Sequence, residues 1–138
     1  MDRKGSARWE GDLKQGNGKF ALGSGGLSGA YSFATRFGDT PGTNPEELIG
    51  AAQAACFSMA LSAGLSKVGF VPTSVETTAT VHLGLVNGLF EIVGIDLTVH
   101  AVAGNISAEL LKSTAEDAKK NCPVSKALAA VPISLTLI

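Results

Sequence analysis

The sequence predicts an α+β fold. Segments with the two-residue period of strands stand on both sides of a long uncharged helical stretch, and a second, amphipathic helix precedes a last apolar strand. At 138 residues, without repeat, charge run or Pro-rich linker, the chain reads as a single domain over 1–138, large enough to bury a core without disulfide staples.

The elements follow in order. ARWEG and KFAL flank Gly16, Asn17 and Gly18, a hairpin signal. GSGGLSG, residues 23–29, resembles a phosphate-binding loop only superficially: the G-x-G-x-x-G spacing is absent and no helix follows, so a loop is expected. Asn44, Pro45 and Glu47 supply N-cap, N1 and N3 chemistry for a helix that runs to about Lys67, where Gly69 can end it in a left-handed conformation. This accounts for Glu47 more readily than for Glu46.

Downstream of Pro72, TATVHLGLV and LFEIVGIDLTVHAVA flank Asn87-Gly88, a strong signal for a two-residue hairpin turn. Pairing Val86 with Leu89 sets Leu85 opposite Phe90 and Leu83 opposite Ile92, and the phase change at Val93 and Gly94 predicts a bulge. ISAELLKSTAEDAKKN reads as an amphipathic helix with Ile106, Leu110, Leu111 and Ala115 on one side. A short helix from Pro123 and a strand, VPISLTLI, complete the pattern.

Composition narrows the function. Eleven Lys and Arg against twelve Asp and Glu leave a net charge of −1 with no basic stripe, so nucleic acid is not an expected partner. The N-terminal MDRKGSARWEGD lacks the apolar core of a secretory signal, which predicts a cytoplasmic protein. From Leu48 to Leu65 the helix carries no charge, near the lower length limit for a membrane span. Gln53, Ser58, Ser62 and many Ala and Gly argue against a span, as do the strands on either side. A helix apolar all round belongs instead at the centre of a fold, and because one chain offers little cover for it, a homodimer is expected. His82 and His100 fall on outward strand faces without ligand-spaced neighbours, so they read as surface or interface residues and no metal site is expected.

Two cysteines remain, Cys56 and Cys122, which in a reducing compartment are either inert buried residues or a redox pair. Cys56 sits in mid-helix, where the N-terminal dipole has faded and apolar burial raises its pKa; to react it requires a cation. Of the three arginines, Arg36 in FATRF stands among apolar residues, and Glu46 is the spare carboxylate. Glu46 precedes Cys56 by ten positions, about 15 Å on a straight helix. Direct contact is excluded, so either Arg36 bridges the gap or a neighbouring subunit supplies the pair. Cys122, just before Pro123 at a helix start, has the lower expected pKa, and on local grounds it is the better nucleophile.

RWEGDLKQGNG, FATRFGDTPGTNPEELIGAAQAACFSMALS and NCPVSKAL together resemble the family of osmotically inducible protein C and organic hydroperoxide resistance protein (OsmC/Ohr), thiol-dependent peroxidases, over almost the whole chain. TRF just ahead of TNPEEL is closer to the OsmC branch. The resemblance implies an OsmC-like fold of antiparallel strands around a long central helix, in an intertwined homodimer. It implies Cys56 as the attacking cysteine and Cys122 as the resolving one, contrary to the local reading, with Arg36 and Glu46 in support. It also implies an organic hydroperoxide substrate, hydrogen peroxide as a further one, a disulfide recycled by a dithiol of lipoyl type, and no cofactor. A redox sensor without turnover and a non-enzymatic dimer that binds an apolar ligand are the competing readings.

Overall fold

The structure, a computed structural model, describes residues 1–138. Its elements are β1 (Gly5–Glu10), β2 (Asn17–Leu22), β3 (Ser28–Ser32), α1 (Phe33–Phe37), α2 (Pro45–Lys67), β4 (Ser74–Val86), β5 (Leu89–Val102), α3 (Ala108–Asn121), α4 (Pro123–Ala127) and β6 (Ile133–Leu137). They form two compact units, Met1–Leu48 and Ile49–Ile138.

In the first unit β1, β2 and β3 pair antiparallel in sequence order. The expected first hairpin is present, but its turn spans residues 11–16, and Asn17 and Gly18 already belong to β2. Asp12 is the reason. Its carboxylate accepts the N–H groups of Lys14 and Gln15 and its carbonyl that of Gly16, so an Asx-type turn outcompetes the Gly-Asn-Gly signal. FATRF is a one-turn helix. Ser32 accepts the Thr35 N–H while the Thr35 hydroxyl accepts that of Ser32, a reciprocal cap.

Helix α2 starts and stops as expected: Asn44 Oδ1 accepts the Glu47 N–H at 2.8 Å, and Gly69 takes φ 91°. Within the second unit Phe57, Leu61 and Leu65, one stripe at four-residue spacing, are buried with Ile95, Leu97 and Val99, alternate residues of β5, and with Ala115 and Ala118 of α3. Burying each large side chain contributes roughly 1.5–3 kcal/mol. Gly50 lets the helix approach β4, since a Cβ there would stand 3.0 Å from the Ala79 carbonyl oxygen. The helix is not buried all round, however. Ala51, Ala52, Ala55, Met59 and Ala63 are exposed, Met59 at 76%. A single chain has one core to offer, and that core occupies the opposite stripe.

The β4–β5 hairpin has the predicted register, Val86↔Leu89, Leu85↔Phe90 and Leu83↔Ile92, with Asn87 and Gly88 both at positive φ. His82 pairs with Gly94 and Leu83 with Ile92, which leaves Val93 as the bulged residue where the phase change placed it. Strand β6 joins β5 in parallel, the one pairing that departs from the antiparallel rule, because α3 and α4 form the crossover that returns the chain.

Candidate active site

Cys122 is held by its backbone from both sides. Its N–H donates to the Ala118 carbonyl at 2.9 Å, which closes α3, and its carbonyl accepts the Lys126 N–H at 3.0 Å, which opens α4 with Pro123 at the first position. Its side chain is fully buried. The half-buried Cys56 on α2 is close enough for the two thiols to shift each other's acidity, and neither is in a disulfide.

The two sulfurs differ in acidity. Burial pushes the Cys56 thiol above its ordinary value, and its interaction with Cys122 pushes it further, against the opposing Val124 N–H. Burial also works to raise Cys122. The Cys56 thiol, the N–H and hydroxyl of Ser125 and the Val124 N–H together outweigh it, and Cys122 lies below the ordinary value. Of the two, Cys122 is therefore the more readily ionised. That matches what mid-helix burial and a proline-led helix start predict for each residue separately.

Beside the thiols lies a contact that sequence reasoning missed. Gln53, one turn before Cys56, is fully buried, and its Nε2 donates to the buried Ser125 hydroxyl at 2.7 Å. The available signal was an amide within an otherwise apolar helix and a serine three residues past Cys122.

Arg36 and Glu46 also form a pair, in the first unit. Arg36 Nη2 donates to Glu46 Oε1 at 2.7 Å, and Nε donates to both carboxylate oxygens at 3.2 Å. The Asn44 cap takes the Glu47 backbone N–H, and it is the Glu46 carboxylate that meets Arg36. The Thr35 hydroxyl, donating to the Thr43 carbonyl at 2.9 Å, ties α1 to the approach to α2. Arg36 also lies 5.0 Å from the Phe37 ring centroid and borders a cavity of about 230 Å³ walled by Trp9, Tyr31, Phe33 and Phe37. Each pair predicted from sequence is thus assembled within its own unit. Of the apolar residues that follow Cys56 on α2, Phe57 and Leu61 lie in the core and Met59 is exposed.

His82 and His100 are exposed, as expected. A carboxylate that sequence spacing did not reveal accompanies one of them: His82 Nε2 lies 2.7 Å from Asp96 Oδ2, and Ser134 donates to the other oxygen. The Ser134 hydroxyl, and then His82, hold the Asp96 carboxyl below its usual value.

Residues 37–136 match the family model of OsmC-like protein. Over 131 residues, 94% of this chain and 92% of the relative, the sequence is 50% identical to the peroxiredoxin OsmC of Escherichia coli K12. It matches the peroxiredoxin OsmC of Shigella flexneri to the same extent. Among solved structures, the organic hydroperoxide resistance protein OhrB of Bacillus subtilis superposes with a TM-score of 0.80 at 28% identity, covering 100% of this chain and 98% of that one. The organic hydroperoxide resistance protein of Elizabethkingia anophelis gives 0.76 at 26% identity, covering 99% and 96%.

Proposed function

Because this chain belongs to the OsmC-like family and is a thiol-dependent peroxidase that reduces peroxides, we propose that it acts on organic hydroperoxides through Cys56 and Cys122. The observation that carries this reading is the direct pairing of the two thiols. A Cys56 thiolate attacks the terminal oxygen of the O–O bond, the bond breaks, and the alkoxide leaves and takes up a proton as the alcohol. Cys56 becomes a sulfenic acid. Cys122 thiolate then attacks the Cys56 sulfur, the S–S bond forms as the S–O bond breaks, and the oxygen departs as water. A dithiol of lipoyl type restores both thiols by exchange.

Since burial works against a Cys56 thiolate, a cation must stabilise it and the departing alkoxide; Arg36, oriented by Glu46, is the residue for that role. The aromatic cavity beside Arg36 supports an alkyl or aryl substituent on the substrate. The exposed, small-residue face of α2 supports a homodimer in which a second copy covers it.

The test is steady-state consumption of cumene hydroperoxide with reduced lipoyl dithiol. Many turnovers per chain, abolished by Cys56→Ser, are expected. Consumption that stops after one equivalent would make the protein a redox sensor, and unreactive thiols would make it a binding protein.

A further inference from the structure

The Gln53–Ser125 contact is unused by the reaction as written above, yet it is an expensive one. The Gln53 side chain is fully buried and its Oε1 has no partner, a loss that an apolar residue at the same position would avoid. What the contact achieves follows from the inventory of a hydroxyl, which has one proton to donate and two lone pairs to receive. Gln53 Nε2 donates to Ser125 Oγ at 2.7 Å, so the Ser125 proton is not drawn to Gln53 and is available to another acceptor. Ser125 is the third residue of α4 and Cys122 its cap, so the hydroxyl lies in the turn that holds the sulfur, and it acts on that sulfur as a donor. With the amide reversed, Oε1 would take the Ser125 proton and the sulfur would lose it.

We propose that Gln53 and Ser125 are positioning residues for disulfide closure: the Gln53 amide fixes the Ser125 hydroxyl as a donor to Cys122, which supports the Cys122 sulfur as the attacking group when Cys56 carries its sulfenic acid. The proposal rests on Cys122 being the resolving cysteine. The titratable group that acts on Cys122 is the Cys56 thiol; its other partners, Ser125 and Val124, are neutral. In closure the Cys122 thiolate supplies the electron pair for the S–S bond and is oxidised, Cys56 is reduced from the sulfenic state as its S–O bond breaks, and the hydroxide takes up a solvent proton and leaves as water.

Losing one hydrogen bond to a charged group lowers the thiolate fraction about tenfold at neutral pH. A more basic thiolate is intrinsically a better nucleophile, so the net loss in closure rate is about three- to fourfold. Above the midpoints of both forms the order reverses and the altered thiolate closes faster. A residue that merely held the backbone in place would slow closure by one factor at every pH.

The experiment measures, by quench and mass analysis, sulfenic acid formation and disulfide closure across pH after addition of cumene hydroperoxide. It uses the reduced wild type, Ser125→Ala, Ser125→Thr and Gln53→Met, a substitution of similar volume without the amide. Sulfenic acid formation is followed in the same reactions, so that closure is read separately from it. Closure in Ser125→Ala and Gln53→Met should be three- to fourfold slower at neutral pH, with the profiles crossing at high pH, and Ser125→Thr should restore the wild-type profile. In a Cys56→Ser background, the thiolate absorbance of Cys122 should move to higher pH in the same two variants. Superimposable profiles, or a uniform slowing, overturn the proposal. If the wild type forms no Cys56–Cys122 disulfide, the assignment of Cys122 itself is what fails.

Discussion

A thiol in the middle of a helix has no dipole to stabilise its anion, and burial penalises the anion further, whereas a thiol at a helix start meets N–H groups. Cys56 and Cys122 occupy these two positions, and their shifts run in opposite directions: burial and Cys122 raise Cys56, while at Cys122 the Cys56 thiol and the N–H groups of the helix start outweigh burial. Their order in the reaction therefore has to come from what is brought to Cys56. After peroxide treatment, a sulfenic acid probe should label Cys122→Ser and not Cys56→Ser; labelling only the second would make Cys122 the attacking residue. Replacing Arg36 with Met should slow oxidation of Cys56 by about tenfold or more, the scale of a lost electrostatic partner, in stopped-flow peroxide assays. An unchanged rate would remove Arg36 from the site. The pairing of Arg36 with Glu46 was legible in the sequence because an arginine among apolar residues calls for a carboxylate. Gln53 and Ser125 were not, since their meaning depends on a contact between residues far apart in the chain.

At the scale of elements, what the sequence made readable was local chemistry. Asn44 before Pro45, Asn87-Gly88 and the slip at Val93 specify backbone conformation within a few residues, and each is found where it was expected. The parallel pairing of β6 and the one-turn α1 were not readable: the first depends on how a crossover returns, and the second on a reciprocal Ser32–Thr35 cap too short to show a helical period. Asn44→Ala should lower stability by about 1 kcal/mol, read as a reduced urea midpoint at unchanged slope. The Asp96 cluster ties β4, β5 and β6 through His82 and Ser134. Because the folded carboxyl is depressed, its contribution is present above the ordinary carboxylate value and is lost as pH falls through the folded value. Ser134→Ala should move the Asp96 carboxyl titration upward in carbon NMR, and an unmoved titration would contradict the assigned cause.

For the whole molecule, the uncovered face of α2 decides most. By length and composition alone this helix could cross a membrane, with a mean hydropathy of 1.6, but Phe57, Leu61 and Leu65 are engaged in the core of the second unit. The opposite face, with Met59 exposed among alanines, suits the close approach of a second chain. Met59→Glu should weaken such a dimer about a hundredfold or more, because burying an unpaired carboxylate costs several kcal/mol; sedimentation at micromolar concentration would show monomer. The wild type sedimenting as monomer would contradict the dimer. Peptide mapping by mass spectrometry under non-reducing conditions, after one equivalent of cumene hydroperoxide, tests the central claim most directly. The account predicts a Cys56–Cys122 disulfide within a single chain, formed in proportion to peroxide consumed. Two thiols still open to alkylation, or a link joining separate chains, would contradict it.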